Sequence, residues 1–326
     1  MTMLVTGAAG FVGNNVVRLL AARGRPVRAL VRSAGREREF QGVNCECFRG
    51  DITDPGSLSA AMDGVTGVIH AAAIVHIGWT RLEELQRVNV EGTRRVIEAA
   101  RRARVRVVYV STVDALGLGS PHQPADEESP RVGNPLCGYV LTKQAAEQVV
   151  RDALPEGLDG VIVNPGFMLG PWDWKPTSAR MILSVIQQKP LLSPPGGGCV
   201  CDVRDVASGI LTAFDRAPTG SQYILGGVNM RYHDLWTEFA RRGGVCPPMM
   251  RAGPVMTQIA GWGGDLLTKI RGQEGDVNSA ITRMASGYHY YSSARAEREL
   301  RYQCRPLSAT LDDTWSWLQE YGYLKA

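Results

Sequence analysis

Three glycines spaced three apart, Gly7, Gly10 and Gly13 in "TGAAGFVG", follow the apolar run "MLVT" (3–6) and open a helical pattern running from about Phe11 to Arg23. This strand–turn–helix context limits what the segment can be. Gly7 permits the tight turn, Gly10 lets the backbone approach a ligand, and Gly13 lets the helix pack close to the strand. The free N–H groups and positive end of the helix dipole then face the turn, where a pyrophosphate fits. The spacing therefore predicts a dinucleotide site at Gly7, Gly10, Phe11, Val12 and Gly13.

The next 150 residues alternate apolar runs with helical patterns. "PVRALV" (26–31), "VNCECF" (43–48), "GVIHAAA" (67–73), "VRVVYVS" (105–111) and "LDGVIVNPG" (158–166) read as strands. Helices are expected near 55–62, within 80–102 and from about Asn134 to Ala153. Near-continuous apolar strands alternating with helices predict an α/β fold, a doubly wound parallel sheet covered on both faces. After Pro165 the texture changes to Trp-, Pro- and Gly-rich stretches such as "GPWDWKP" and "GGVCPPMM". We expect a Rossmann domain over 1–165, with 199–225 returning to it. A smaller discontinuous lobe is expected over 166–198 and 226–326, with a ligand between the two.

Composition narrows the function classes. The net charge of +4 is diffuse, and no run of like charge suggests a nucleic-acid tail. No apolar stretch is long enough for a membrane span, and the first strand, at about residue 3, leaves no room before it for a signal peptide. The seven cysteines are irregularly spaced; Cys45/Cys47 and Cys199/Cys201 stand one residue apart and so point to opposite strand faces. They read as reduced thiols in a cytoplasmic protein, with no metal site.

Two further signals carry chemistry. About 20 residues past the glycines, a chain that binds NAD usually carries an acid for the ribose hydroxyls. Here "ALVRSAGRER" supplies Arg32, with Arg36 and Arg38 nearby. A guanidinium suits a 2′-phosphate, so NADP is expected and NAD is kept as the alternative. In "GYVLTK", Tyr139 and Lys143 stand four apart on a predicted helix, hence on one face. A phenol becomes a usable acid/base when a neighbouring cation favours its phenolate.

With "TGAAGFVG", "GDITD", "VIHAAA", "VNVEGT", "YVSTVDALG", "YVLTK" and "VNPG" in order, the chain resembles the extended short-chain dehydrogenase/reductases, or NAD-dependent epimerase/dehydratases, over nearly its whole length. The resemblance implies Tyr139 as acid/base, Lys143 at the nicotinamide ribose, and Thr112, five residues before Gly117, as the hydroxyl that holds the substrate oxygen. It places Asp51 and Ile52 beside the adenine. Ala71, Ala72 and Ala73 would line the cofactor, with Pro165, Gly166 and Met168 toward the nicotinamide. It also implies a homodimer through a four-helix bundle.

The same triad serves reductases, epimerases and dehydratases. Sugar dehydratases of this family carry an Asp–Glu pair directly after the Thr; here Val113 stands first and cannot protonate a leaving hydroxyl. Within the family, "GPWDWKPTSARMI", "CDVRDVASGIL" and "YILGG" resemble dihydroflavonol-reductase-like, 3β-hydroxysteroid-dehydrogenase-like and hopanoid-associated groups. An NADP-dependent oxidoreductase for a hydrophobic, ring-containing small molecule is expected. An NAD-dependent nucleotide-sugar epimerase is the alternative, and a non-catalytic redox sensor is disfavoured by the intact Tyr–Lys pair. Candidate substrate residues are His76 and Trp79, Asp114, Trp172 and Trp174, and Arg180, whose charge leaves a phosphorylated substrate open.

Overall fold

A computed structural model describes residues 2–324 except 34, 132–134, 273 and 276; the side chain of Glu37 also lies outside the description. Along the chain come β1 (Thr2–Thr6), α1 (Phe11–Ala22), β2 (Val27–Val31), β3 (Glu46–Arg49), α2 (Pro55–Ala61) and β4 (Val65–His70). Next are α3 (Leu82–Leu85), α4 (Gly92–Ala103), β5 (Arg106–Val110), α5 (Gly138–Ala153) and β6 (Gly160–Pro165). A π-helical stretch, Gln86–Glu91, joins α3 to α4. Helix α5 begins at Gly138, after the extended Cys137; Asn134, where the helix was expected to start, lies outside the described residues.

The second half contributes β7 (Phe167–Leu169), α6 (Ala179–Gln188), β8 (Leu192–Ser193), β9 (Gly197–Asp202), α7 (Val203–Arg216) and β10 (Gln222–Leu225). It continues through β11 (Val228–Arg231), α8 (Tyr232–Arg242), β12 (Met250–Arg251), α9 (Pro254–Arg271) and α10 (Ser279–Ser286). The chain closes with β13 (Tyr288–His289), α11 (Ala294–Leu300) and α12 (Leu307–Glu320).

Seven parallel strands form the large sheet in the order β10-β6-β5-β4-β1-β2-β3. Its inner strands are apolar on both sides because helices cover both faces. On one face Val16, Val17 and Leu20 of α1 pack with Val206, Ile210 and Leu211 of α7. On the other, Leu58, Val96, Ile97, Ala146 and Val150 of α2, α4 and α5 close a second core. The stretch 199–225 is divided between two sheets: α7 and β10 join the large one, but β9 pairs with β7, β11 and β13 in a second, four-stranded sheet. Around that second sheet, α6, α8 and α12 build a third core rich in aromatic rings.

Strand order reverses between β1 and β4, which lie side by side but lead to opposite halves of the sheet. The carboxyl ends of strands at such a reversal are the place where sheets of this type bind ligands.

Candidate active site

At this reversal lies the glycine turn. Gly7 has φ 66, and a Cβ on it would lie 2.6 Å from the amide nitrogen of Ala72. The turn after β1 therefore presses on the loop after β4 with no space for a side chain. A Cβ on Gly13 would strike the carbonyl of Gly7, so α1 can approach this closely only with glycine. Gly10 starts α1 without a side-chain cap, and the first turn holds no acid. The N–H groups of Phe11, Val12 and Gly13 thus stand at an open helix end, the arrangement that receives a pyrophosphate. Ala71, Ala72 and Ala73 follow β4 half-buried beside it. A dinucleotide fits this cradle. Asp51 turns back on itself, accepting from the amide and hydroxyl of Thr53 at 2.8 Å each, and Ile52 is buried against α4 at Gly92.

One polar chain ties the two strands of this reversal. The Thr93 hydroxyl donates to the Asn89 carbonyl at 2.6 Å and stands 3.0 Å from Nε2 of His70. Thr6 Oγ1 stands 2.7 Å from Nδ1 of the same ring, and the Ala72 amide donates to Thr6 Oγ1. With the Thr93 proton committed, His70 donates from Nε2 and accepts at Nδ1 from Thr6. Burial and the nearby Lys143 charge hold this imidazole neutral, pushed down to about 3.

Past β5, Thr112 caps the short turn Val113–Ala115, its hydroxyl accepting from the Asp114 amide at 3.3 Å. Tyr139, in the first turn of α5, is almost fully buried. Burial, and after it the Asp114 carboxylate, push its phenol well above the usual value, while the Thr112 hydroxyl pulls the other way. Thr112, Asp114 and Tyr139 therefore stand close to one another. One turn along α5, buried Lys143 donates from Nζ to the Val110 carbonyl at 2.7 Å and stands 4.5 Å from the centre of the Tyr109 ring. Desolvation drives its ammonium down to about 7, and Glu147 opposes this. Glu147 is itself fully buried, accepting from Asn164 at 2.7 Å and paired with Arg131. Asn164 also donates to the Thr112 carbonyl at 2.8 Å, so one amide holds both the hydroxyl-bearing turn and the counter-charge of the lysine.

Asp114 has a partner from far along the chain. Nδ1 of His289 donates to its Oδ1 at 2.8 Å, and Nε2 of His289 donates to the Met284 carbonyl at 2.9 Å. With an acceptor facing each ring nitrogen, the setting favours the doubly protonated ring. Its basicity is raised: burial works against the cation, and the hydrogen bond and charge of Asp114 outweigh it.

The match to known proteins covers this whole arrangement. The model of the NAD dependent epimerase/dehydratase family matches residues 3–226. A protein named putative dihydroflavonol 4-reductase, from Synechocystis sp., is 34% identical, with 98% of this chain and 95% of that one covered. Sterol demethylase protein B from Methylococcus capsulatus is 31% identical over 99% of this chain and 100% of its own. The crystal structure of gox2253 superposes with a TM-score of 0.87 at 35% identity, covering 99% of each chain. This chain belongs to the NAD-dependent epimerase/dehydratase family. It is an enzyme of the extended short-chain dehydrogenase/reductase type, built for an NAD(P) dinucleotide.

The remaining expected residues of this family member fall in several places. Pro165 closes β6, and Gly166 and Met168 lead into the second sheet; a Cβ on Gly166 would lie 2.5 Å from the Cys199 carbonyl. Arg32 is exposed just past β2, whereas Arg36 is committed to the buried carboxylate of Glu39. His76 and Trp79 lie in the loop after β4, and this loop is wrapped around Glu274. His76 Nε2 donates to Glu274 Oε2 at 2.6 Å, the Trp79 amide donates to Oε1 at 3.1 Å, and the Thr80 hydroxyl donates to Oε2 at 2.6 Å. The same loop accepts from the Gly138 amide at the start of α5 and, through Ile77, from the Asn278 side chain at the start of α10.

Trp172 and Trp174 have their ring contacts elsewhere, with Trp317 and Tyr321 of the C-terminal region. Arg18 of α1 stacks 3.4 Å from the Trp172 ring centre. These rings bridge the third core to α1 and lend themselves to packing rather than to a free aromatic wall. Asp173 beside them caps the start of α6, accepting from the Thr177 and Ala179 amides, and Arg180 is exposed on α6. Sequence reasoning missed His289, Glu274, Glu147 and Asn164. "VNPG" marks the strand that carries Asn164, and Glu147 stands one turn past Lys143, so those two had a local signal; His289 and Glu274 had none.

Proposed function

We propose that this enzyme reduces a carbonyl of a hydrophobic, ring-containing small molecule to a secondary alcohol with NADPH, using Thr112, Tyr139 and Lys143. The observation that carries the reading is the setting of Tyr139: a buried phenol near the Thr112 hydroxyl and the Asp114 carboxyl group, with Lys143 one turn along the same helix. Such a phenol keeps its proton until negative charge develops on an oxygen bound beside it. In reduction, the substrate oxygen sits between the hydroxyls of Thr112 and Tyr139. A bound dinucleotide would supply the hydride that the carbonyl carbon needs. As negative charge grows on the oxygen, Tyr139 donates its proton and Lys143 stabilises the phenolate left behind. Glu147 opposes the desolvation that weakens the Lys143 charge. The names of the relatives, a reductase and a sterol demethylase component, favour an apolar substrate. Arg32, exposed at the end of β2, favours the 2′-phosphate of NADP.

The test follows NADPH and NADH oxidation against a panel of apolar ring ketones. Tyr139→Phe should lower turnover by about 10²–10⁴-fold, and Arg32→Asp should shift the preference toward NADH. Equal turnover by Tyr139→Phe sinks the triad. NAD recovered tightly bound to the purified protein, with no net oxidation on any ketone, moves the assignment to the epimerase that shares the triad.

A further inference from the structure

Helix α9 carries its apolar residues on the wrong side for a core. Val255, Met256, Ile259, Trp262, Leu266, Leu267 and Ile270 are all exposed, from 49% to 72%. Its buried residues are Gly261 and Gly264, against which α10 packs closely: a Cβ on Gly261 would lie 2.5 Å from Thr282 Oγ1, and one on Gly264 would strike the Val277 carbonyl. The helix therefore shows α10 a narrow Gly–Thr edge and shows solvent everything else.

At about 100° per residue, Trp262, Val255, Leu266, Ile259, Ile270, Gly263, Met256, Leu267 and Ala260 fall on one arc of roughly 160°. Arg271 borders the arc on one side and Lys269 on the other. The one acid of α9, Asp265, is turned inward and accepts from the Ser279 amide at 2.9 Å. Glu274, just beyond, is held in the loop at His76. Shortly upstream in the chain, at the ribbon of β8 and β12, Leu191, Met249 and Met250 are exposed, as is Arg251.

We infer that α9 is a membrane-surface helix that lays its apolar arc into the interface of an anionic lipid bilayer, with Arg251, Lys269 and Arg271 at the headgroups. A wide apolar arc that includes a tryptophan and is edged by long basic side chains is the pattern of helices that lie in the bilayer interface. Its 18 residues are about 27 Å long. No helix among the described residues is long and apolar enough to cross a membrane, so the contact lies along the surface. A second copy of the chain fits less well. It would bring the same basic edges together, and the described residues of the arc's border offer no acid to meet them. The hairpin of α9 and α10 also reaches the site: Ala280 and Met284 of α10 pack on Cys137, Tyr139 and Val140. A bilayer-seated α9 therefore puts the wall beside Tyr139 within reach of a lipid-dissolved substrate. The docking itself rests on the surface alone and is read without turnover.

The experiment is vesicle flotation of the full chain with phosphatidylglycerol-containing and pure phosphatidylcholine vesicles at low and high salt. The wild type should float with the anionic vesicles, less with the neutral ones and less at high salt. The double variant Ile259→Asp, Leu266→Asp should lose about tenfold or more in partitioning. Lys269→Glu with Arg271→Glu should lose about tenfold on anionic vesicles alone. Circular dichroism and NADPH-binding titration report whether each variant is folded. The inference is overturned if the folded wild type stays at the bottom of the gradient with both vesicle types. It is overturned equally if the apolar variant floats like the wild type. It fails in favour of a second copy if the wild type runs as a dimer that the apolar variant dissolves.

Discussion

The large sheet and the α9–α10 hairpin spend similar apolar side chains in opposite ways. In the sheet, Leu4, Val5, Val68 and Ile69 are wholly buried between two helical layers. In the hairpin, Ile259, Leu266 and Ile270 face outward. The hydrophobic effect itself does not distinguish the two cases; the surrounding topology does. In the sheet every face has a covering layer. In the hairpin a row of glycines and threonines makes the internal contact and leaves the large residues for something external. A site lies where the regimes meet, with its cofactor cradle in the first and one wall from the second.

The sharpest way to break this contrast is to place a charge in each regime. Ile69→Asp buries an unpaired carboxylate on β4 and should cost several kcal/mol, leaving no cooperative thermal transition in the soluble fraction. Next comes the seam. Asp114→Asn should slow reduction by roughly tenfold, about 1.4 kcal/mol of transition-state stabilisation. It should also move the alkaline limb of the pH–rate profile downward, because it removes a charge that raises Tyr139.

The same variant reads out His289. The folded value of His289 is raised, so its contribution to stability is complete below the ordinary histidine value of about 6.5. That contribution is lost as pH rises through the raised folded value. In Asp114→Asn this alkaline loss of Tm should flatten; an unchanged Tm profile means the imidazolium is not coupled to Asp114. Smaller is the effect of Glu274→Gln, which weakens the bonds holding the 76–80 loop to the hairpin by about 1–2 kcal/mol. Faster hydrogen exchange in α10 and a rise in KM larger than the fall in kcat should report it. Smallest is Ile259→Asp, whose unfolding free energy should stay within about 0.5 kcal/mol of wild type; a large loss there would mean that α9 is part of the core.

What could be read from the chain alone followed the same division. The glycine turn, the strand series and the Tyr–Lys spacing are local patterns, and each constrains the backbone within one or two elements. The Asp114–His289 and His76–Glu274 pairs join residues 175 and 198 apart in sequence. Nothing near a lone histidine in "GYHYY" says which carboxylate will face it, because the second sheet alone sets that meeting. Asp114 could thus be read only as a turn or substrate-edge residue until β13 was in place. Likewise "PWDWKP" announces aromatic rings but not Trp317 and Tyr321, the rings in and just after α12 that receive them.

The polar chain through His70 has a further consequence. Apolar contacts tolerate sliding, but a hydrogen bond weakens steeply once its angle falls below about 120°. Thr6, His70, Thr93 and Asn89 form a series in which each donor already has its acceptor. Asn89 extends it, donating to the Ile74 carbonyl and to Thr142 on α5. The alignment between the glycine turn and the tyrosine-bearing helix is therefore set by angles rather than by volume. A larger ligand would have to be admitted by the rim, since the gap between the glycine turn and Tyr139 is gauged from behind.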